Sequence, residues 1–123
     1  MKYGGVEGGG SLTTGFIYYL NSSGNWVGAD ADAQASADGL LAIALGASPT
    51  TNGMLLQGVW HCQLSNATLS SDGEKLYLST DNPGEPTNVQ PTGSADVVRL
   101  IGHTIDASEG TIYFNPSNDF IEV

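Results

Sequence analysis

Short runs of apolar residues recur along the chain and are separated by clusters of glycine, proline, asparagine, aspartate and serine. Runs of this length suit β-strands, and such clusters form the turns between strands. No long amphipathic helical pattern interrupts the series. The pattern therefore predicts an all-β fold, a compact β-sandwich or barrel of short antiparallel strands. The predicted strands are residues 12–20, 25–28, 40–45, 53–62, 74–80, 96–105 and 111–114, with a last stretch to residue 123.

Two of the connections have a more specific pattern. Residues 21–24 read Asn-Ser-Ser-Gly, which predicts a hairpin between the first two strands. The Ala/Asp-rich stretch at residues 29–38 can support a turn of helix, which Gly39 stops.

The two halves of the chain carry similar motifs in the same order. Three motifs recur with nearly the same spacing: residues 15–22 and 73–80 (G-x-x-x-Y-L-x-[ST]), residues 40–48 and 100–108 (LLAIALGAS and LIGHTIDAS), and residues 53–56 and 110–113 (GMLL and GTIY). This predicts two pseudo-repeated halves, each burying its apolar face against the other. Tyr19 and Tyr77 occupy the same place in the two motifs, and we expect each to close one end of the core.

Length and composition indicate one domain with an N-terminal arm. The chain has 123 residues, which is near the usual size of a domain. Residues 1–11 contain five glycines and little to bury, so we expect a flexible arm there and a single β domain at residues 12–123. No signal peptide or membrane-spanning stretch is recognisable, so we expect synthesis as a soluble cytoplasmic product. The single Cys62 cannot form an internal disulfide.

The charge of the chain narrows the range of partners. Thirteen acidic residues oppose only three basic ones, Lys2, Lys75 and Arg99, which gives a formal net charge of −10. Such a chain repels phosphate backbones and anionic lipid surfaces. We therefore expect neither nucleic acid nor a membrane as a partner. The acidic surface favours solubility and is complementary in charge to a basic surface on a binding partner.

The residues that usually carry catalysis or bind metals are few and poorly placed. His61 and Cys62 are adjacent, so in a strand they point to opposite faces, and His103 is expected at the surface. Asp30 and Asp32 lack the remaining positions of a calcium-binding EF-hand loop, and we interpret them as solvated loop carboxylates. No nucleotide-binding or serine-hydrolase glycine motif is present. We expect no enzymatic activity, no catalytic residue, no cofactor and no metal site.

The layout resembles a β module of tailed-bacteriophage virion proteins, found in head decoration (cement) proteins and in parts of fibre proteins. The resemblance covers about residues 12–123. It rests on the patterns at residues 15–27, 29–38, 39–46, 53–59, 73–80, 83–91, 93–102 and 112–117. It implies a non-enzymatic subunit on the virion surface that forms small homo-oligomers such as trimers and contacts the major capsid protein or other virion proteins. The expected function is to bind the outer shell and stabilise it.

Two sets of residues are candidates for the contacts that such a function needs. The arm and the C-terminal stretch are the expected assembly contacts, through Tyr3, Val6, Phe120, Ile121 and Val123. In the alternative interpretation the chain is a fibre, tail or head-knob subunit that touches the host surface. Trp26 and Trp60 are then the candidates for stacking on carbohydrate, although packing in the core or an interface is the ordinary role of such residues.

Overall fold

Antiparallel pairing of short strands organises the chain, as the apolar pattern predicted. The computed structural model describes residues 2–3, 12–61, 69–82 and 84–123. The helical elements of these residues are a four-residue helix α1 (Pro49–Asn52) and a 3₁₀ turn (Gln34–Ser36). The strands are β1 (Lys2–Tyr3), β2 (Ile17–Leu20), β3 (Trp26–Gly28), β4 (Leu41–Ala44), β5 (Met54–Leu55), β6 (Gly58–His61), β7 (Lys75–Leu78), β8 (Pro86–Thr87), β9 (Val97–Val98), β10 (Leu100–Asp106), β11 (Thr111–Phe114) and β12 (Ile121–Glu122).

The two halves of the chain build two sheets of the same topology. The first sheet has the order β1-β5-β4-β2-β3, and the second has the order β6-β11-β10-β7-β8. Strands β1 to β5 of the first sheet thus correspond in turn to β6, β7, β8, β10 and β11 of the second. The predicted pseudo-repeat is confirmed at the level of topology. The sheets are open, so the fold is not a closed barrel.

The main core lies between the two sheets. It combines apolar side chains from the first sheet, the second sheet and the Ala/Asp-rich connection, and its buried members include Ile17, Leu41, Ile43, Leu76, Leu78, Ile101, Ile112, Phe114, Ala29 and Ala31. Backbone hydrogen bonds join the halves on one side of this core, from Ile17 N to Gly84 O at 2.7 Å and from Ala31 N to Ser79 O at 3.2 Å. The arrangement is that of a sandwich in which each sheet covers the other.

A second apolar cluster covers the other face of the first sheet. Its buried members are Leu12, Trp26, Ala42, Ala44 and Met54, and Tyr18 and Leu20 pack against them. All four residues of β4 are buried, because its alternate side chains enter the two clusters. The first sheet is therefore apolar on both faces.

Two of the predicted strands need correction in detail. The strand predicted at residues 53–62 is replaced by β5 and β6, which lie in different sheets, because the chain leaves the first sheet after β5 and enters the second at Gly58, whose φ is 144°. The strand predicted at residues 96–105 is interrupted at Arg99. Within the predicted arm, residues 2–3 pair with β5, since the edge of a sheet offers unpaired backbone groups, and the flexibility of the arm stays a prediction.

The repeat also changes phase between the two sheets. Ile17 pairs with Ile43 in the first sheet, and the aligned residues Lys75 and His103 pair in the second. The isoleucines are buried in the main core, whereas Lys75 and His103 are exposed. A shift of one residue in phase reverses the face of every side chain in a strand. The expectation that Tyr77 closes the core like Tyr19 is therefore wrong, since Tyr77 lies between the buried Leu76 and Leu78 and faces outward.

An irregularity in β10 accompanies this change of phase. The pairing of β10 with β7 shifts between Leu100 and Gly102, and Gly102 has a φ of +155°. A Cβ atom at this position would collide with the carbonyl oxygen of Tyr113 on the adjacent strand β11. Only glycine meets both the conformational and the steric requirement.

We expect Gly102→Ala to lower the free energy of unfolding by about 2–4 kcal/mol, because it adds a steric clash and backbone strain. Gly28→Ala is the matched control, since Gly28 also lies in a strand but has open space around its added Cβ. The control should change stability by less than about 0.5 kcal/mol. Urea unfolding of both variants checks this, and equal stabilities would contradict the steric account.

Candidate functional site

The outward positions of the second sheet form a continuous row across four strands. Val59 of β6 pairs with Tyr113 of β11, Tyr113 pairs with His103 of β10, and His103 pairs with Lys75 of β7. Directly opposed side chains in a sheet lie about 5 Å apart, so these four residues are neighbours. Val59 is 63% exposed, although valine is usually buried. We call the outward side of β6, β11, β10 and β7 the open face.

Further side chains extend the open face on both sides of this row. His61 pairs with Thr111, and its Nδ1 lies 3.4 Å from Thr111 Oγ1. Ile105 is exposed on β10. At the other end, Gln57 Nε2 donates to the Tyr113 hydroxyl at 2.7 Å and holds that ring in place. The open face thus combines aliphatic, aromatic and imidazole groups on rigid strands.

The histidines of the sequence analysis both lie on this face, and Cys62 lies outside the described residues. His103 is exposed, as predicted, although Ile101 two residues earlier is buried, because the pairing of β10 with β7 shifts between Leu100 and Gly102. His61 and His103 belong to strands that are separated by β11, so they do not form a pair with one another. Within the described ranges, no three His, Cys, Asp or Glu side chains form a group suited to a metal ion.

The two tryptophans have different environments. Trp26 is 2% exposed and belongs to the cluster on the first sheet, so its ring cannot stack on a sugar in this structure. Trp60 is half-buried against the main core. Its indole Nε1 is buried and has no hydrogen-bond partner among the residues that the structure describes. Of the two candidate carbohydrate contacts, only Trp60 therefore has an accessible part.

The structure describes the side chains of three of the five candidate assembly contacts, Phe120, Ile121 and Val123. Tyr3 contributes its backbone to the pairing with Met54, and Val6 lies outside the described residues. Phe120 is half-buried against the core of its own chain. Ile121 and Val123 are exposed at the end of the chain, where β12 pairs with β9.

Arg99 is a buried cation that the sequence analysis counted only as a charge. It is 5% exposed, and its Nη1 donates to the carbonyl oxygens of Ala37, at 2.8 Å, and Gly39. Its Nε donates to the carbonyl of Ser117 at 2.9 Å. Burial lowers the pKa of the Arg99 guanidinium, while the nearby Asp38 carboxylate opposes this effect. A single arginine within an apolar run was the sequence signal for such a role.

The loop carboxylates Asp30 and Asp32 interact with each other. Asp30 Oδ1 accepts a hydrogen bond from the backbone N–H of Asp32 at 3.1 Å. Burial raises the pKa of the Asp30 carboxyl, and the charges of Asp32 and Asp96 raise it further, whereas the hydrogen bond from Asp32 lowers it. Asp96 also lines a recess of ≈ 270 Å³ together with Ser79, Thr87 and Pro91. Asp30, Asp32 and Asp96 thus bring negative charges close together. No basic side chain is among the groups that shift the pKa of Asp30.

Comparisons with known proteins add no relative to this picture. No family model, curated protein or solved structure matches the chain. In the part of the chain that the structure describes, no helix is long and apolar enough to cross a bilayer. The class that the structure defines is an all-β module in which two five-stranded sheets share one topology and β9 and β12 form a small third sheet.

We expect Arg99→Met to lower the free energy of unfolding by about 2–4 kcal/mol, because three carbonyl groups lose a charged donor. Lys75→Met removes the same kind of charge from the exposed open face and should cost less than about 0.5 kcal/mol. Chemical denaturation of both variants provides the measurement. Equal losses of unfolding free energy in the two variants would show that the buried hydrogen bonds of Arg99 do not contribute to stability.

We expect Asp30→Asn to raise the melting temperature at pH 7, because asparagine keeps the acceptor oxygen and removes a disfavoured charge. A carboxyl group whose pKa is raised on folding destabilises the folded state above that pKa, and the penalty disappears below the ordinary aspartate pKa of 3.8. The gain should therefore shrink as the pH falls from 7 towards 3.8. Asp119→Asn, at an exposed site, controls for the change in net charge. A gain that persists at low pH would refute this explanation.

Proposed function

We propose that this protein is a non-enzymatic structural subunit of a bacteriophage virion, and specifically a decoration or cement subunit on the outer shell. The observation that carries the proposal is the open face, where Val59, Tyr113 and His103 form a row on rigid, hydrogen-bonded strands. A subunit that stabilises a shell works by adding buried contact area between neighbouring shell proteins. The backbone of such a subunit must keep one conformation, because ordering it on binding would cost free energy.

The internal structure supports this role. Each sheet covers the other, so the domain buries its main core without a partner. Arg99 ties the connection at residues 37–39 and the C-terminal segment to the second sheet. Such a pre-organised surface loses little conformational entropy on binding. The proposed partners are the major capsid protein or other virion proteins, and further copies of the chain in a homo-oligomer such as a trimer.

The C-terminal stretch is a second candidate contact with the shell. Ile121 and Val123 are exposed, while the backbone of Val123 is bonded to Asp96 at 2.7 Å. The side chains are therefore presented on a fixed backbone. The net charge of −10 keeps the free subunit soluble before it docks and complements a basic platform on the particle.

One observation favours the alternative, a fibre, tail or head-knob subunit that binds host carbohydrate. Trp60 is half-buried, so part of its indole ring is accessible. Indole rings stack on sugar rings, and this accessible part is the candidate contact. The neighbouring Val59 and His61 are exposed.

The location and copy number of the protein on purified particles distinguish these functions. A decoration subunit should be present in numbers comparable to the major shell protein, with density over the shell in a particle reconstruction. A fibre or tail subunit should be present in few copies at one vertex or appendage. Particles that lack the protein should disassemble at a lower temperature if it is a decoration subunit. Absence of the protein from purified virions would refute both assignments.

A further inference from the structure

We propose that a recess beside Arg99 binds a carboxylate group that is carried on a short apolar stem. The recess has a volume of ≈ 260 Å³ and lies between the start of β4, the link from β5 to β6 and the segment that follows β11. Arg99 forms part of its wall. The proposal goes beyond the proposed function, because it holds wherever the protein is located.

The guanidinium of Arg99 has two N–H groups left for a ligand. An arginine side chain has one N–H group on Nε and two on each terminal nitrogen. Nε donates to Ser117 O at 2.9 Å, and Nη1 donates to the carbonyl oxygens of Ala37 and Gly39. Nη2 donates to no acceptor among the described residues, yet it is not one of their fully enclosed, unpartnered nitrogens, so it keeps access to solvent. Because Arg99 lines the recess, we place Nη2 on its wall.

The positive charge of Arg99 lacks a carboxylate in contact with it among the described residues. Arg99 is 5% exposed, and a charge so far from water is usually paired with an opposite charge. The charge of Asp38 acts on Arg99, but the Asp38 carboxylate is exposed and accepts a hydrogen bond from Gln34 at 3.2 Å. A carboxylate in the recess would supply a counter-charge and a charge-assisted hydrogen bond to Nη2.

The other walls of the recess favour a small ligand with an apolar stem. Leu40 is 50% exposed, and Leu56 and Pro116 are half-buried. Asn115 and Asn118 also line the recess, and their exposed amide groups are suitable donors to the second carboxylate oxygen. Pockets for drug-sized ligands enclose about 300–1,000 Å³, so this recess suits a smaller group.

The charge of the chain favours a ligand with a single negative charge. The net charge of −10 repels a doubly charged phosphate more strongly than a carboxylate. At physiological salt this repulsion is screened beyond about 8 Å, whereas a contact with Nη2 inside the recess is screened much less. A carboxylate therefore combines the smallest repulsion with the two acceptor oxygens that the recess can use.

Titration of the purified protein with butyrate, followed by NMR of the backbone amides, tests this proposal. Butyrate carries one carboxylate on a short aliphatic stem, and butyramide is its neutral match. Butyrate should shift the resonances of residues 40–41, 56–57 and 117–118 in a saturable way, with a dissociation constant of about 1–30 mM. Butyramide should bind at least about tenfold more weakly. No saturation up to about 100 mM butyrate, or equal shifts with butyramide or sodium chloride, would overturn the proposal.

Variants locate the binding in the recess. Leu40→Glu places a negative charge on the wall and should raise the dissociation constant for butyrate at least about fivefold. Val89→Glu is the matched control, because Val89 is 64% exposed and lines a different recess, so it should leave binding unchanged. Arg99→Lys removes Nη2 and should abolish saturable binding. Thermal melts identify any loss of folding, and if Arg99→Lys does not fold, Leu40→Glu decides. Equal affinity in Leu40→Glu and the wild type would reject the recess as the site.

A blocked glutamate distinguishes the two sources of such a carboxylate. N-acetylglutamate N-methylamide carries its carboxylate on a similar stem, attached to a peptide backbone. Binding of this compound at the same residues, as tightly as butyrate, would assign the recess to an acidic side chain of a partner protein. Binding of butyrate alone would assign it to a small free acid. Both results support the carboxylate site.

Discussion

The alternation of side chains along each strand decides which surfaces of this protein are free. In β7 and β11 every second residue is apolar and buried, so the intervening residues must face solvent. In β4 every residue is buried, and its alternate side chains enter two different clusters. One topology used twice therefore produces a sheet that is apolar on both sides and a sheet with an open face.

The two halves are also joined by polar interactions, which apolar packing alone could not specify. Burial of the Arg99 guanidinium costs free energy, and its hydrogen bonds to the carbonyls of Ala37, Gly39 and Ser117 offset that cost. These carbonyls belong to two segments, residues 37–39 and the segment that contains Ser117, which are distant from each other in sequence. The interaction therefore fixes the connection at residues 37–39 and the C-terminal segment in one arrangement. It also marks the point where β9 ends and β10 begins.

Most of the strands and the repeat could be predicted from the sequence, because both are local patterns of apolar and turn residues. The division of residues 53–62 between two sheets could not be predicted, since no cluster of turn residues separates β5 from β6. The change of phase between the two copies of the repeat could not be predicted from the sequence either. Ile17 and Lys75 occupy aligned positions, and only the three-dimensional pairing reveals that they face opposite sides. The exposure of His103 was expected, but its outward direction depends on the irregularity in β10, and its row with Val59 and Tyr113 depends on long-range register.

The outward composition of the second sheet distinguishes the open face from the rest of the surface. A chain with a net charge of −10 repels other acidic surfaces, and this repulsion opposes non-specific contact. On the open face the formal charges of Lys75 and of Asp106, which pairs with Thr111, offset each other. Contact through this face buries Val59 and Ile105, so hydrophobic free energy favours binding there without an excess of negative charge to oppose it.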